Sequence, residues 1–97
     1  MAKAYWVVTY RSISDPAKMA EYAKLAGPSI NASGGKFLVR GAPSKTYESG
    51  LDQRVVVTEF ENLAAAIAAH DTPGYQAALK ALGDGAVRDI RIVEGIG

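Results

Sequence analysis

The side chains in this sequence with the chemistry to hold or act on a small molecule are His70, Tyr75, Arg40, Tyr10, Arg11 and Arg88. His70 is the only histidine, and an unperturbed imidazole, with a pKa near 6.5, suits proton transfer. Its alternative role is at a helix end, facing terminal carbonyls and packing beside Ile67. Tyr75 follows Pro73-Gly74, a dipeptide that fixes the turn presenting its phenol. His70 and Tyr75 are therefore the candidate catalytic pair. Arg40 ends an extended run just before Gly41, where a guanidinium can grip a carboxylate through two parallel hydrogen bonds. It can equally pair with an acid across a dimer, and Arg11 and Arg88, at the ends of other strands, carry the same two readings. Tyr10, Tyr22, Tyr75 and Trp6 can line an apolar cleft between sheet and helices, with phenols as its few polar handles; core packing accounts for Tyr22 and Trp6 equally well. Arg40, Tyr10, Arg11 and Arg88 are the candidate substrate-binding residues.

Other chemistries are excluded or unsupported. The 97 residues contain no cysteine, so disulfides, thiolate nucleophiles and cysteine-ligated metals are absent. One histidine with scattered carboxylates falls short of the converging ligands a metal needs; no metal and no cofactor is expected. Gly34-Gly35 and Gly83-x-Gly85 lack the spacing of a phosphate-binding loop. Eleven basic and ten acidic side chains give a net charge of +1. They are interspersed, so no nucleic-acid or membrane-surface footprint emerges. The stretch MAKAYWVVTYRS lacks the longer apolar region of a signal peptide, and no apolar run approaches a bilayer span. The expectation is a cytoplasmic protein with one domain over residues 1–97.

The element that must position these residues runs from Arg54 to Leu82. RVVVTEF (54–60) reads as a strand, apolar on both parities and therefore covered on both sides. Asn62 caps a helix starting at Leu63, whose Leu63, Ile67 and His70 share a face while its alanines supply propensity and close packing. Thr72 and Pro73 open a second helix with the stripe Tyr75, Ala78, Leu79 and Leu82, ended by Gly83. Before this segment come a strand at 4–10, a helix started by Asp15-Pro16 with Met19, Tyr22, Ala26 and Ile30 at helical spacing, and a strand at 36–40. Gly27-Pro28 is expected to kink or break the first helix. Residues 41–53 are turn-rich, with a brief extended piece near Thr46-Tyr47. RDIRIVE (88–94) alternates, with Ile90 and Ile92 inward.

The order β-α-β-β-α-β, with its second helical region split, is ferredoxin-like: a four-stranded antiparallel sheet, helices on one face, strands one and three central. The other face presents Tyr5, Val7, Leu38, Val56, Phe60 and Val93, more apolar area than a monomer usually exposes. A homodimer packed sheet to sheet is the expected remedy.

Taken together, YRSISDPAKMAEYAKLAGPSINASGGKFLVRG, RVVVTEF, DTPGYQAAL and RDIRIVEG resemble the bacterial family known as domain of unknown function 1330, over nearly the whole chain. The resemblance implies the dimeric α/β-barrel superfamily, whose other branches include cofactor-independent monooxygenases, muconolactone-isomerase-like proteins and haem-binding peroxidase-like proteins. The family has no settled activity, and its members often carry an aromatic residue where this chain has His70. Two functions follow as expectations. One is binding of a small aromatic or carboxylated metabolite, with cofactor-independent oxygenase- or isomerase-like chemistry. The other is a non-enzymatic ligand-binding or structural dimer module.

Overall fold

A computed structural model describes residues 2–97. Strands β1 (Ala4–Ile13), β2 (Lys36–Gly41), β3 (Val55–Phe60) and β4 (Ala86–Glu94) alternate with helices α1 (Pro16–Ala32), α2 (Leu63–His70) and α3 (Pro73–Leu82). The sheet is antiparallel in the order β2-β3-β1-β4, the ferredoxin-like arrangement, with the two most apolar strands central. The helix starts follow from local chemistry. Asp15 accepts from the amides of Ala17 and Lys18, Asn62 from that of Ala65, and Thr72 from that of Tyr75, satisfying amides that have no partner in the first helical turn.

The barrel expectation does not hold. The sheet is open, with β2 and β4 as free edges, and the dimeric α/β barrel is replaced by a two-layer slab of 37 × 34 × 15 Å. Closure joins the two edges of a sheet, and small barrels need about eight tilted strands to do so. Four strands with ordinary twist leave their edges apart.

Four further expectations are corrected. The register sets Trp6 opposite Thr58, Val8 opposite Val56 and Ala4 opposite Phe60, and Trp6, Thr58 and Phe60 are buried. Val56 and Phe60 thus face the helices, and Val55 and Val57 take the open face with Tyr5 and Val7. Because β3 is apolar on both parities, its pattern could not choose a side; the helices cover the parity that carries Trp6. Second, α1 runs unbroken through Pro28. The carbonyl that Pro28 cannot bond belongs to Lys24, and both residues are exposed, so the missing bond falls on the solvent side of the helix, where it costs least. Third, Ile67 is 47% exposed. The alanines Ala66 and Ala69 meet the core instead, allowing the Ala66 carbonyl to accept a 2.8 Å bond from the Trp6 indole. No extended piece forms near Thr46-Tyr47.

The core lies between the helices and the sheet. The Trp6 ring lies 5.2 Å from that of Phe60, tilted by 40°, and edge-on at 5.0 Å to that of Tyr75. Gly35 lets α1 turn tightly into β2: a Cβ there would stand 2.5 Å from the Ile30 side chain. Among the described residues no helix is long and apolar enough to cross a membrane.

Candidate functional site

Three rows of side chains cross the helix-facing side of the sheet. Phe37, Thr58, Trp6 and Ile92 form the first, and Arg40, Val56, Val8 and Ile90 the second. Tyr10 and Arg88 are partners in the third, where the Tyr10 amide donates to the Arg54 carbonyl. Above them α1 passes Met19, Tyr22, Ala23, Ala26, Gly27 and Ile30. Ala23, Ala26 and Gly27 are too small to fill the space beneath, and a cavity of about 170 Å³ remains between helix and sheet. A Cβ on Gly27 would meet nothing within 4 Å.

The polar lining is one-sided. Arg40, Arg54 and Arg88 line the cavity and no acidic residue does. Among the described residues none of the three forms an ion pair, whereas Arg11 and Arg91 both pair with Asp89. Two buried side-chain polar atoms have no hydrogen-bond partner among the described residues, Arg54 Nε and Thr58 Oγ1. Both belong to residues of this cavity, the pattern left when a site's partner is a ligand or water.

Arg88 organises the polar end. One of its terminal nitrogens donates to the hydroxyls of Tyr10 at 3.1 Å and Tyr22 at 3.0 Å, the other to Tyr75 at 3.0 Å. The Tyr22 and Tyr75 hydroxyls are 2.7 Å apart. Burial, the largest influence, pushes the Tyr10 phenol up, and it raises Tyr22 further; the guanidinium beside them only partly offsets this. Burial works against the charge of Arg88, but the oxygens of Tyr22, Tyr75 and Tyr10 outweigh it and hold Arg88 above its ordinary value. At neutral pH Arg88 is a cation and the Tyr10 and Tyr22 phenols are protonated. Arg88 is only a donor. Tyr75 is fully buried, and among the described residues its hydroxyl meets no acceptor other than Tyr22, so the arrangement that strands no proton at Tyr75 has Tyr75 donating to Tyr22. The protons of Tyr22 and Tyr10 then have no acceptor within the group. Both residues line the cavity.

The predicted residues therefore divide. Arg40, Tyr10 and Arg88 come together, joined by Tyr22 and Trp6. Tyr75 does not line the cavity; its hydroxyl is bonded to Tyr22 and Arg88. His70 stands apart at the end of α2, with Nδ1 3.1 Å from Asp71 and its ring 5.3 Å from that of Tyr75. Arg11 is turned outward by a β-bulge between Tyr10 and Ser12 and is bound to Asp89. Sequence reasoning missed Arg54 and Thr58. Arg54 sits where the turn-rich connection meets β3, like the other strand-end arginines, a signal that would have included it. Among the described residues no group of three or more His, Cys, Asp or Glu side chains converges on a metal position.

The sequence profile described as Domain of unknown function (DUF1330) matches residues 3–96. The chain belongs to the DUF1330 family. No curated protein matches it. Among solved structures, this DUF1330 chain is similar to a protein of unknown function from Rhodopseudomonas palustris, at 17% identity over 99% of this chain and 84% of that one, with a TM-score of 0.76. It is also similar to SnoaB, a cofactor-independent oxygenase from Streptomyces nogalater, at 14% identity over 100% and 96% of the two chains, TM-score 0.68. A dimeric ferredoxin-like protein of unknown function from Thermobifida fusca aligns at 15% identity over 97% and 92%, TM-score 0.62. At such identities the likeness is one of fold.

Proposed function

We propose that this DUF1330 protein binds a small organic acid, about one ring in size, in the cleft between α1 and the sheet. The observation that carries this reading is the donor excess: the phenol oxygens accept from Arg88, and the protons of Tyr10 and Tyr22 are left without an acceptor in the group. A carboxylate supplies acceptors only, and charge-assisted bonds to it are among the strongest available. Val8, Met19, Ala26 and Val56 provide apolar walls. The volume matches a single ring, since a cavity of about 150 Å³ accepts benzene. Calorimetric titration with benzoate, benzamide and benzyl alcohol tests it. Benzoate should bind, and Arg88→Gln should weaken it by at least about tenfold, the low end for one charged contact. Equal binding of all three compounds, or no binding of benzoate, overturns the reading.

A catalytic reading is favoured by the same donors, which suit an oxyanion developing on a bound enolate or phenolate. The fold similarity to a cofactor-independent oxygenase agrees with it, although fold alone is a weak warrant for activity. Among the described residues no histidine or carboxylate lines the cavity to act as base, so substrates that ionise readily are the suitable ones. Oxygen uptake with such substrates tests this reading, and binding without turnover supports the non-enzymatic alternative.

We also propose that the protein self-associates through the open face of its sheet, as two open sheets and not a closed barrel. Val39 and Val93, 48% and 50% exposed, stand there beside Val57 and Tyr5. Burying them against a second copy removes apolar area from water.

A further inference from the structure

We infer that the cavity is built for a ligand with two polar ends, an acid at the Tyr10–Arg88 row and a hydroxyl or oxo group at Thr58. This deepens the acid-site reading and rests on it. Thr58 lies in the row of Trp6 and Phe37, four residues along β3 from Arg54. That is roughly 13 Å at the backbone, so the two polar features mark opposite ends of the cavity with the Val8–Val56 row between them.

Thr58 is buried, and among the described residues its Oγ1 has no hydrogen-bond partner. An unmade hydrogen bond is costly in such a place. Valine has the same shape and β-branching, fills the three preceding positions Val55, Val56 and Val57, and would occupy the site without that cost. Packing therefore gives no reason for the hydroxyl. A turn about χ1 exchanges the positions of hydroxyl and methyl on the same Cβ, directing Oγ1 to a ligand atom in the cavity that Thr58 lines. The hydroxyl both donates and accepts, so a ligand hydroxyl or carbonyl satisfies it. The ligand class is a hydroxy- or oxo-substituted ring carboxylate, substituted on the side of the ring away from the acid. Thr58 is its specificity residue.

The test compares benzoate with 4-hydroxybenzoate by calorimetry on the wild-type protein, Thr58→Val and Thr58→Ser. The wild type should bind 4-hydroxybenzoate several-fold to about tenfold more tightly, the range of one neutral hydrogen bond. Thr58→Val should bind the two alike, and Thr58→Ser should keep the preference. Thermal unfolding without ligand should show Thr58→Val melting higher than wild type, which confirms that it folds. Benzoate binding without a 4-hydroxyl preference, or a preference that survives in Thr58→Val, overturns this inference and leaves the acid site standing. Failure of benzoate to bind the wild type removes both.

Discussion

The hydroxyls of Tyr22 on α1 and Tyr75 on α3 lie 2.7 Å apart, and each accepts a bond from Arg88 on β4. Three elements distant in sequence are thereby tied at one point, and the direction of the Tyr22–Tyr75 bond is set by burial. Because Tyr75 can only give its proton to Tyr22, the Tyr22 proton is left for the cavity. In the proposed site Tyr75 is thus a positioning residue, one contact removed from the ligand.

Removing the Tyr75 hydroxyl leaves one Arg88 donor without its partner in a buried setting. Tyr75→Phe is expected to lose about 1–3 kcal/mol of stability, read from denaturant unfolding. It should also weaken benzoate, because Tyr22 is no longer oriented. His70→Ala should leave benzoate affinity unchanged; a matching loss in both variants would return His70 to the site.

Gly27 gives a cleaner handle on the cavity. Its Cβ position is open and it lies inside α1, so Gly27→Ala should raise stability by about 0.4–1 kcal/mol through reduced unfolded-state freedom. The same methyl group narrows the space beneath α1. Thermal melting should rise while the affinity for ring acids falls, and unchanged affinity would place the ligand elsewhere.

Alkaline pH should unfold the protein through its buried phenols. Tyr10 and Tyr22 titrate above the ordinary value of 10.0 when folded, so above about pH 10 the unfolded chain loses protons that the folded one keeps. Their contribution is complete below that pH and declines as pH rises, by up to about 1.4 kcal/mol per pH unit for each phenol. Tyr22→Phe should flatten the decline measured by denaturant titration between pH 9 and 11.

For the open face the informative substitution is Val57→Asp, since Val56 faces the helices. Light scattering should show the wild type at twice the monomer mass and Val57→Asp at the monomer mass with its helices intact. A wild-type monomer at micromolar concentration would refute self-association through this face.

The strand and helix order was legible in the sequence because each boundary carries its own chemistry, such as Asp15-Pro16, Asn62 and Thr72-Pro73. The cleft was legible in part, since Tyr10, Arg40 and Arg88 stand at strand ends where a sheet delivers side chains to a rim. What escaped depended on pairings between distant residues. The side taken by Val56 and Phe60 follows from their register with Val8 and Ala4, which a doubly apolar strand does not encode alone. Thr58 looked like an ordinary strand former, and only the assembled fold shows that its hydroxyl is unpartnered. Closure of the sheet was carried over from the resemblance and had no residue-level support.

The span of the polar hub has a consequence for how the protein matures. Tyr10 and Arg88 are 78 positions apart, so their contact closes nearly the longest loop the fold contains and belongs to the slow, entropically costly part of folding. During synthesis β1, α1 and β3 can emerge and begin to pack before Arg88 leaves the ribosome, yet the acid end of the cavity does not exist until it arrives. A ligand held there binds only the finished fold and pulls the equilibrium toward it. If the proposed acid binds there, its presence during refolding should raise the yield of folded chain.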